Sequence, residues 1–297
     1  MGGRRGRRRV VRGPTLAADQ PEEVAMTDQH TEQYVSVDRE GEVVTITLAR
    51  PQQRNALSLP MMKALTRALL DAGTSDARGV ILAAEGPVFS AGHHFGDMVG
   101  ADLAAAEHLF RVCTAMMDAV QSIPQVVVAR VHALATAAGC QLVATCDLAV
   151  AAASAGFALP GGQGGLFCHT PAVAVARNIG RKRVVEMAFT GDVVDARTAA
   201  EWGLVNRVVP DDELIDATAE LMRRATRGSA ASKALGKREL YAQIGLPQPA
   251  AYELAIAAMA AAATTPDAQE GFAAFLAKRH PEFTQPANAT TQAAAPA

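Results

Sequence analysis

The sequence predicts an α/β fold. Short runs rich in Val, Ile and Leu alternate with longer runs whose apolar residues recur at helical spacing, and glycine, proline and small polar residues fall between them. EVVTITLA (42–49) is a strand by its β-branched residues. LPMMKALTRALLDAG (59–73) is a helix by its apolar spacing. GVILAAE (79–85) is short and continuously apolar, as a strand buried on both faces reads. The long DLAAAEHLFRVCTAMMDAV (102–120) gives the next helix and QVVVARVH (125–132) the next strand. GCQLVATC (139–146) is apolar enough for a buried helix, and DLAVAAA (147–153) is the strand it runs into. Pro124 and Pro160 stand between elements, where a missing N–H does least harm.

Composition bounds the rest. At 297 residues and 49% hydrophobic, the chain can bury one large core, as one domain or one domain with an appendage. A formal charge of −2 argues against a general nucleic-acid binder. Cys113, Cys140, Cys146 and Cys168 form no CxxC pair, which predicts neither a zinc site nor a disulfide framework and fits a reducing cytoplasm. The Ala-rich run 255–263 is too short, and too close to Glu253 and Asp267, to span a bilayer. Residues 1–33 pack arginines together without an apolar stripe and read as a disordered extension. An extension ahead of a start at Met26 is the plain account, and binding of anionic partners the functional one. Residues 285–297 read as a low-complexity, unstructured tail.

Small residues crowd one junction. In RVHALATAAGCQLVATCDLAV (130–150), Ala137, Ala138 and Gly139 stand where a strand becomes a helix, so bare N–H groups face outward at a helix start that favours negative charge. Upstream, GVILAAEGPVFSAGHHFGDM (79–98) ends a strand in Ser90-Ala91-Gly92-His93 ahead of another helix. Two such loops can aim two N–H donors at one carbonyl oxygen.

The order of these segments resembles the enoyl-CoA hydratase/isomerase superfamily, often called the crotonase family. TLARPQQRNALS (47–58) is similar to its first acyl-CoA loop, FSAGHHF (89–95) to its first oxyanion loop and ATAAGCQLVATCDLAVA (135–151) to its second. FALP (157–160) resembles the strand after the active-site helix, the stretch 183–210 its long helical and closing segment, and FLAKRHPEF (275–283) its C-terminal helix. ATAAGCQL with PGGQGGLFCHTP looks most like the subgroup named enoyl-CoA hydratase domain-containing protein three. The resemblance implies a right-handed spiral of ββα units over 34–211 and a helical C-terminal portion over 212–284 that helps form a homotrimer or hexamer. It implies no permanently bound cofactor, with coenzyme A entering as part of an acyl-CoA or enoyl-CoA substrate, and neither nucleic acid nor membrane as partner.

The resemblance also assigns residues. The oxyanion donors are the N–H groups of His93 and Ala138. The hydratases of the family hold water with two glutamates, and Gln141 and Gly161 stand at those two places. An amide cannot take a proton at neutral pH, and glycine offers no side chain. Each general acid or base supplies about 10²- to 10⁴-fold, so conventional hydration is expected to be severely slowed while acyl-CoA binding survives. Candidate substitutes for the proton transfer are His93, His94, Asp97, Cys140, Cys168 and His169. His169 leads because FCHTP follows the strand that lost its glutamate; a loop histidine bonded to backbone is the plain alternative. His94 stands at a family aspartate that shapes the loop, the cysteines read most simply as small buried apolar residues, and Asp147 reads as structural. By resemblance Arg54, Ala56 and Leu57 border the CoA, Ala91, His94 and Phe95 follow it toward the thioester, and Phe275 and Lys278 come from the C-terminal helix. Lys278 reads equally well as a solvated charge. Met98, Leu103 and Phe110 are candidates for the acyl pocket, or core residues at helical spacing.

Rival readings fit less well. LPGGQGGLF lacks the GxGxxG spacing of a dinucleotide-binding loop, and no GxSxG marks a serine hydrolase. The serious competitor is a non-catalytic acyl-CoA-binding scaffold or sensor. The sequence therefore predicts an acyl-CoA-binding enzyme of fatty-acid metabolism, a lyase or isomerase on CoA thioesters, that polarises a thioester carbonyl.

Overall fold

The computed structural model describes residues 34–288. The extension expected over 1–33 and the tail from 289 onward lie outside the described residues. Strands β1 (Val35–Glu40) and β2 (Val43–Leu48) pair antiparallel; β3 (Gly79–Ala84), β4 (Val126–Val131), β6 (Leu148–Ala152) and β9 (Arg207–Val209) then add in parallel, giving the order β1-β2-β3-β4-β6-β9. The apolar pattern misses β1 because most of its residues are exposed. Parallel strands need long crossovers. Helix α1 (Leu59–Thr74) joins β2 to β3, and α2 (Leu103–Ser122) joins β3 to β4. Ser58 caps α1 by accepting from the Met61 N–H, and Asp102 caps α2 by accepting from the Ala105 N–H.

The period-two alternation of strands divides the core between the two faces of the sheet. Ile46, Leu82 and Val127 pack with Leu65, Met116 and Leu142 in the main core. Ile81, Val128 and Val150 face the other way, onto Leu214 and Met222 of α7 (Leu214–Ala225). The C-terminal portion expected to start at residue 212 therefore begins with a helix that completes the sheet's second layer.

A second row of short extended segments sets the site. Leu57 bridges His93, Ser90 bridges Ala135, β5 (Ala135–Thr136) pairs with β7 (Gly156–Ala158), and β7 pairs with β8 (Val194–Asp195). Each winding of the chain thus gives one strand to the large sheet and then one short segment to this row. That is the spiral the family resemblance implies, and the row brings five segments of chain side by side. Helix α3 (Ala138–Thr145) leaves the row with all eight of its own residues buried, the polar Gln141 and Thr145 among them. Beyond β7 come α4 (His169–Val175), α5 (Arg181–Thr190) and α6 (Ala196–Trp202).

Helices α8 (Ala230–Gln243), α9 (Gln248–Ala263) and α10 (Pro266–Leu276) pack on one another. No residue of α9 is fully buried: Ala251, Ala255, Ala258, Ala262 and Ala263 are half-buried, and Tyr252, Ile256 and Met259 are exposed on it. The chain after α10 stays packed through the first residues of the expected tail: Ala287 is buried and the Asn288 amide donates to Thr74 O. No described helix is long and apolar enough to cross a membrane.

One buried network ties α8 to the spiral. Lys237 Nζ lies 2.8 Å from Asp147 Oδ2 and donates to the carbonyls of Val120 and Gln125. Tyr241 Oη donates to the other Asp147 oxygen, and Val127 N–H donates to Oδ2. Burial pushes the Lys237 pKa down, opposed by Asp147, and pushes the Tyr241 phenol up, reinforced by Asp147. Asp147 is structural, as the sequence predicts. Both partners of the ion pair are about nine-tenths buried, so Lys237→Ala should cost about 3–5 kcal/mol by leaving an uncompensated carboxylate. Urea unfolding checks this, and a loss under about 1 kcal/mol, the range of an exposed pair, would refute it.

Candidate active site

The site is built by backbone hydrogen bonds between loops distant in sequence. After β2 a short 3-10 turn (Pro51–Gln53) leads into Arg54 and Asn55, both with positive φ. Asparagine tolerates that conformation. Asn55 is fully buried: its side-chain oxygen accepts from the Arg50 N–H, and its NH₂ donates to the Glu85 and Val88 carbonyls. Leu57 N–H donates to Gly92 O at 2.7 Å, His94 N–H to Leu57 O, and Ala91 N–H to Arg54 O. The next loop is fastened the same way, with Thr136 N–H on Ser90 O and Ala137 N–H on Ala158 O.

These bonds consume many of the neighbouring amides and leave those of His93, Ala138 and, in the first turn of α3, Gly139 and Cys140. Gly92 N–H faces Ser90 Oγ, and Gln141 N–H closes the first turn of α3 on Ala137 O. Between them, His93 N–H and Ala138 N–H have no protein acceptor among the described residues. Ala138 opens α3, where an N–H has no partner within its helix. Ala137, just before it, holds φ 50 and ψ −119, a region an L side chain enters only under strain. The two loops touch: a Cβ on Gly92, itself at positive φ, would come within 2.9 Å of Ala137 Cβ and 3.2 Å of Ala138 N.

Unpaired polar atoms gather here. Among the described residues, the buried side-chain atoms with no partner are both ring nitrogens of His93, His94 Nδ1, Thr136 Oγ1 and Gln141 Oε1, with Arg50 Nε and Gln125 Oε1 elsewhere. Such atoms are rare in folded proteins and call for an explanation such as a bound group. The His93 ring is half-buried and packs edge-on against Phe110, centroids 5.4 Å apart. Burial pushes its pKa down, opposed by the Leu57 carbonyl and the Asp97 carboxylate.

The other residues expected at the site separate. Asp97 accepts from the Leu59 N–H at the start of α1 and lies 3.6 Å from His94 Nδ1, which makes it a loop and helix anchor. Leu57, expected to border the CoA, has its side chain fully buried in the core, while its backbone fastens the loop. Arg54 and Phe95 are exposed, Ala56, Ala91 and His94 half-buried, all on the two fastened loops. Phe275 and Lys278 are exposed at the end of α10, and no hydrogen bond or ring contact among the described residues ties them to those loops. Of the acyl-pocket candidates, Phe110 meets His93, Met98 packs against the core, and Leu103 is exposed.

His169 is not a loop residue. It is the first residue of α4, exposed, with its ring 5.2 Å from Phe167 and its N–H on Phe167 O. Cys140 is fully buried, with burial pushing its thiol up to about 12, and burial raises Cys168 as well. Neither is a ready base. Gly161 opens a closed loop: its N–H donates to Cys168 Sγ, and the Leu166 N–H donates back to its carbonyl. A Cβ there would collide with the Leu166 carbonyl oxygen and sit 2.8 Å from Cys168 Sγ. Asn55 and Ser90 were missed as site residues. The signal for Asn55 was a polar residue that tolerates positive φ, standing in RNALS just before a helix.

Residues 38–286 match the family model described as Enoyl-CoA hydratase/isomerase. The chain belongs to that family. Among curated enoyl-CoA hydratase relatives, the mitochondrial enoyl-CoA hydratase domain-containing protein 3 of Rattus norvegicus is 42% identical over 241 residues, 80% of each chain. A solved enoyl-CoA hydratase from Mycobacterium smegmatis is 45% identical with a TM-score of 0.82, covering 84% of this chain and 98% of its own. The human enoyl-CoA hydratase domain-containing protein 3 is 40% identical with a TM-score of 0.81, covering 84% and 100%. Family and fold are thus those the sequence predicts. The cytoplasmic expectation is corrected: the rat protein and its namesakes in other vertebrates are named mitochondrial, which points away from the cytoplasm. Enzymes of the enoyl-CoA hydratase/isomerase family act on acyl-CoA thioesters and are typically oligomeric.

Two outcomes are expected from this geometry. The folded protein holds His93 below its ordinary value of 6.5, so the unfolded chain binds that proton first. Stability should therefore fall as pH drops below about 6.5 and through the lowered folded value, and the fall should be smaller in His93→Gln; urea midpoints measured across that range check it. Gly161→Glu should lower stability by about 2 kcal/mol or more through overpacking and should not create crotonyl-CoA hydration; a folded, hydrating variant would show that the loop opens freely.

Proposed function

We propose that this protein binds an acyl-CoA thioester with the carbonyl oxygen held between the N–H groups of His93 and Ala138. The observation that carries the reading is the pair of unbonded amides on two loops in contact, each loop fastened by its neighbours' hydrogen bonds. Donors fixed before the substrate arrives need no reorganisation as negative charge develops, and one such donor is worth about 10²- to 10³-fold. The CoA would run along Arg54, Ala56, Ala91, His94 and Phe95, with Phe275 and Lys278 meeting it from α10. The chemistry is enolate or thioester-polarising chemistry in fatty-acid metabolism, by a lyase or isomerase.

Conventional hydration is not the reaction proposed. Gln141 is nearly isosteric with glutamate, yet its amide takes no proton, and the backbone and thiol beside Gly161 fill the space a carboxylate side chain would need. That same closure favours a second reading, an acyl-CoA-binding scaffold without turnover. His169 remains the proposed proton-transfer candidate only if its exposed ring turns toward the thioester. Helix α9, with no fully buried residue and with Tyr252, Ile256 and Met259 exposed, supports assembly into a homotrimer or hexamer.

The test pairs binding with turnover. Purified protein mixed with crotonyl-CoA should bind it while the conjugated thioester absorbance decays far more slowly than with a glutamate-containing hydratase. Ala138→Pro deletes one donor at the first position of a helix, where proline is tolerated, and should weaken the preference for acyl-CoA over free CoA by about tenfold, or 1.4 kcal/mol. An unchanged preference in a folded variant would overturn the assignment.

A further inference from the structure

Two contacts of His94 are slack where their neighbours are tight. Between residues 54–59 and 90–97, Leu57 N–H meets Gly92 O at 2.7 Å, Ser90 Oγ meets Asn55 O at 2.8 Å and Ala91 N–H meets Arg54 O at 3.0 Å. Leu59 N–H, at the start of α1, meets Asp97 Oδ2 at 2.8 Å. His94 N–H reaches Leu57 O only at 3.4 Å. Its ring repeats the pattern: Nδ1 is buried without a hydrogen bond, and Asp97 Oδ1 stands 3.6 Å away, beyond ordinary reach. Asp97 is not free to close that gap, because Leu59 holds its other oxygen. The ring lies against Gly96, where a Cβ would come within 2.6 Å of Cε1 and 2.9 Å of Nδ1.

This slack adjoins one of the two donor amides. Gly92 C=O and His93 N–H share one planar trans peptide and so point opposite ways. With Gly92 O fastened to Leu57, the His93 N–H faces away from that loop. The far side of His93 is tied to the same loop only by the stretched His94 bond. Shortening that bond toward about 2.9 Å, an ordinary length, turns the stretch of backbone that aims the donor. Displacements of about 1 Å are enough to matter at such a position.

We propose that His94 and Asp97 form a clamp, seated on Gly96, that closes when an acyl-CoA thioester fills the site and so fixes the aim of the His93 N–H. This rests on the acyl-CoA reading above and makes His94 a positioning residue. An Nδ1–H, present in the imidazolium and in one neutral tautomer, donates to Asp97 Oδ1. A ligand lying along the half-buried ring excludes water from the gap, and a hydrogen bond to a carboxylate strengthens as its surroundings dry. Asp97 is anchored at Leu59, two residues from Leu57, so drawing the ring to it brings the His94 N–H toward Leu57 O as well.

Difference infrared spectroscopy of the full chain with bound butyryl-CoA, isotope-labelled at the thioester carbonyl, tests it. Hydrogen bonding lowers the carbonyl stretching frequency, and butyryl-CoA has no double bond to hydrate, so the signal reports the aim of the donors in the bound state. The native protein should lower the frequency relative to free butyryl-CoA. Gly96→Ala pushes the ring off Asp97 while keeping both side chains, and at equal occupancy it should lose about half of that lowering, one of two donors being misaimed. His94→Leu should lose as much. His94→Asn, whose amide nitrogen stands where Nδ1 does, should keep the native value. A native lowering that persists in Gly96→Ala and His94→Leu, or that falls equally in His94→Asn and His94→Leu, would overturn the clamp and leave the donor amides standing. Bound butyryl-CoA with no lowering in the native protein would overturn both.

Discussion

Ser90 is fully buried, and its polar atoms face three segments of chain at once. Its hydroxyl donates to Asn55 O in the first loop and lies within reach of the Gly92 N–H in its own, while its carbonyl accepts from Thr136 in the third. The two bare amides are separated by more than forty positions in sequence, and this residue fixes their relative placement. A hydrogen bond between buried groups contributes about 1 kcal/mol net, yet its value here is positional. Loosening any of the three segments would let the donors drift apart, and catalytic or binding groups lose effect steeply with displacements of about 1 Å.

The large sheet plays a different part. Its central strands are held by burial on both faces, with Leu82 on one side and Ile81 on the other, and it contributes no reacting group. It supplies a rigid edge from which each winding of the chain projects a short segment into the second row. The Asp147–Lys237–Tyr241 network extends that rigidity to α8. Beyond it, α9 carries only exposed or half-buried residues, and a cavity of about 490 Å³ between α8 and α10 is lined by Met259 and Phe272 as well as by Ser229 and Asp267. Apolar surface of that kind on a helix without a fully buried face marks an interaction site, in keeping with the assembly proposed above.

Much of this was legible in the sequence. The strand and helix alternation gave β2, α1, β3, α2, β4, α3 and β6 because each has a clear apolar period, and the run of small residues marked the strand-to-helix turn at Ala138. What escaped were features that depend on contacts distant in sequence. β1 hides because four of its six residues are exposed, three of them the charged run Asp38, Arg39 and Glu40. The role of Asn55 follows from three backbone groups that only the folded chain brings near it. Leu57 reads as a loop residue beside a ligand, yet tertiary packing turns its side chain into the core. His169 reads as a loop histidine because the helix it starts is short and its first turn contains Pro171.

The closed loop at Gly161 bears on how this chain could change over generations. Where a position has merely lost a functional side chain, one codon change can return it. Here the Leu166 carbonyl and the Cys168 thiol occupy the space, so a side chain introduced there meets backbone first. Restoration would need the segment through Cys168 to be rebuilt first, with no gain in function from that first step. The divergence at this position therefore works as a ratchet: the lineage is free to elaborate what the remaining groups can do, and closed to the simple route back.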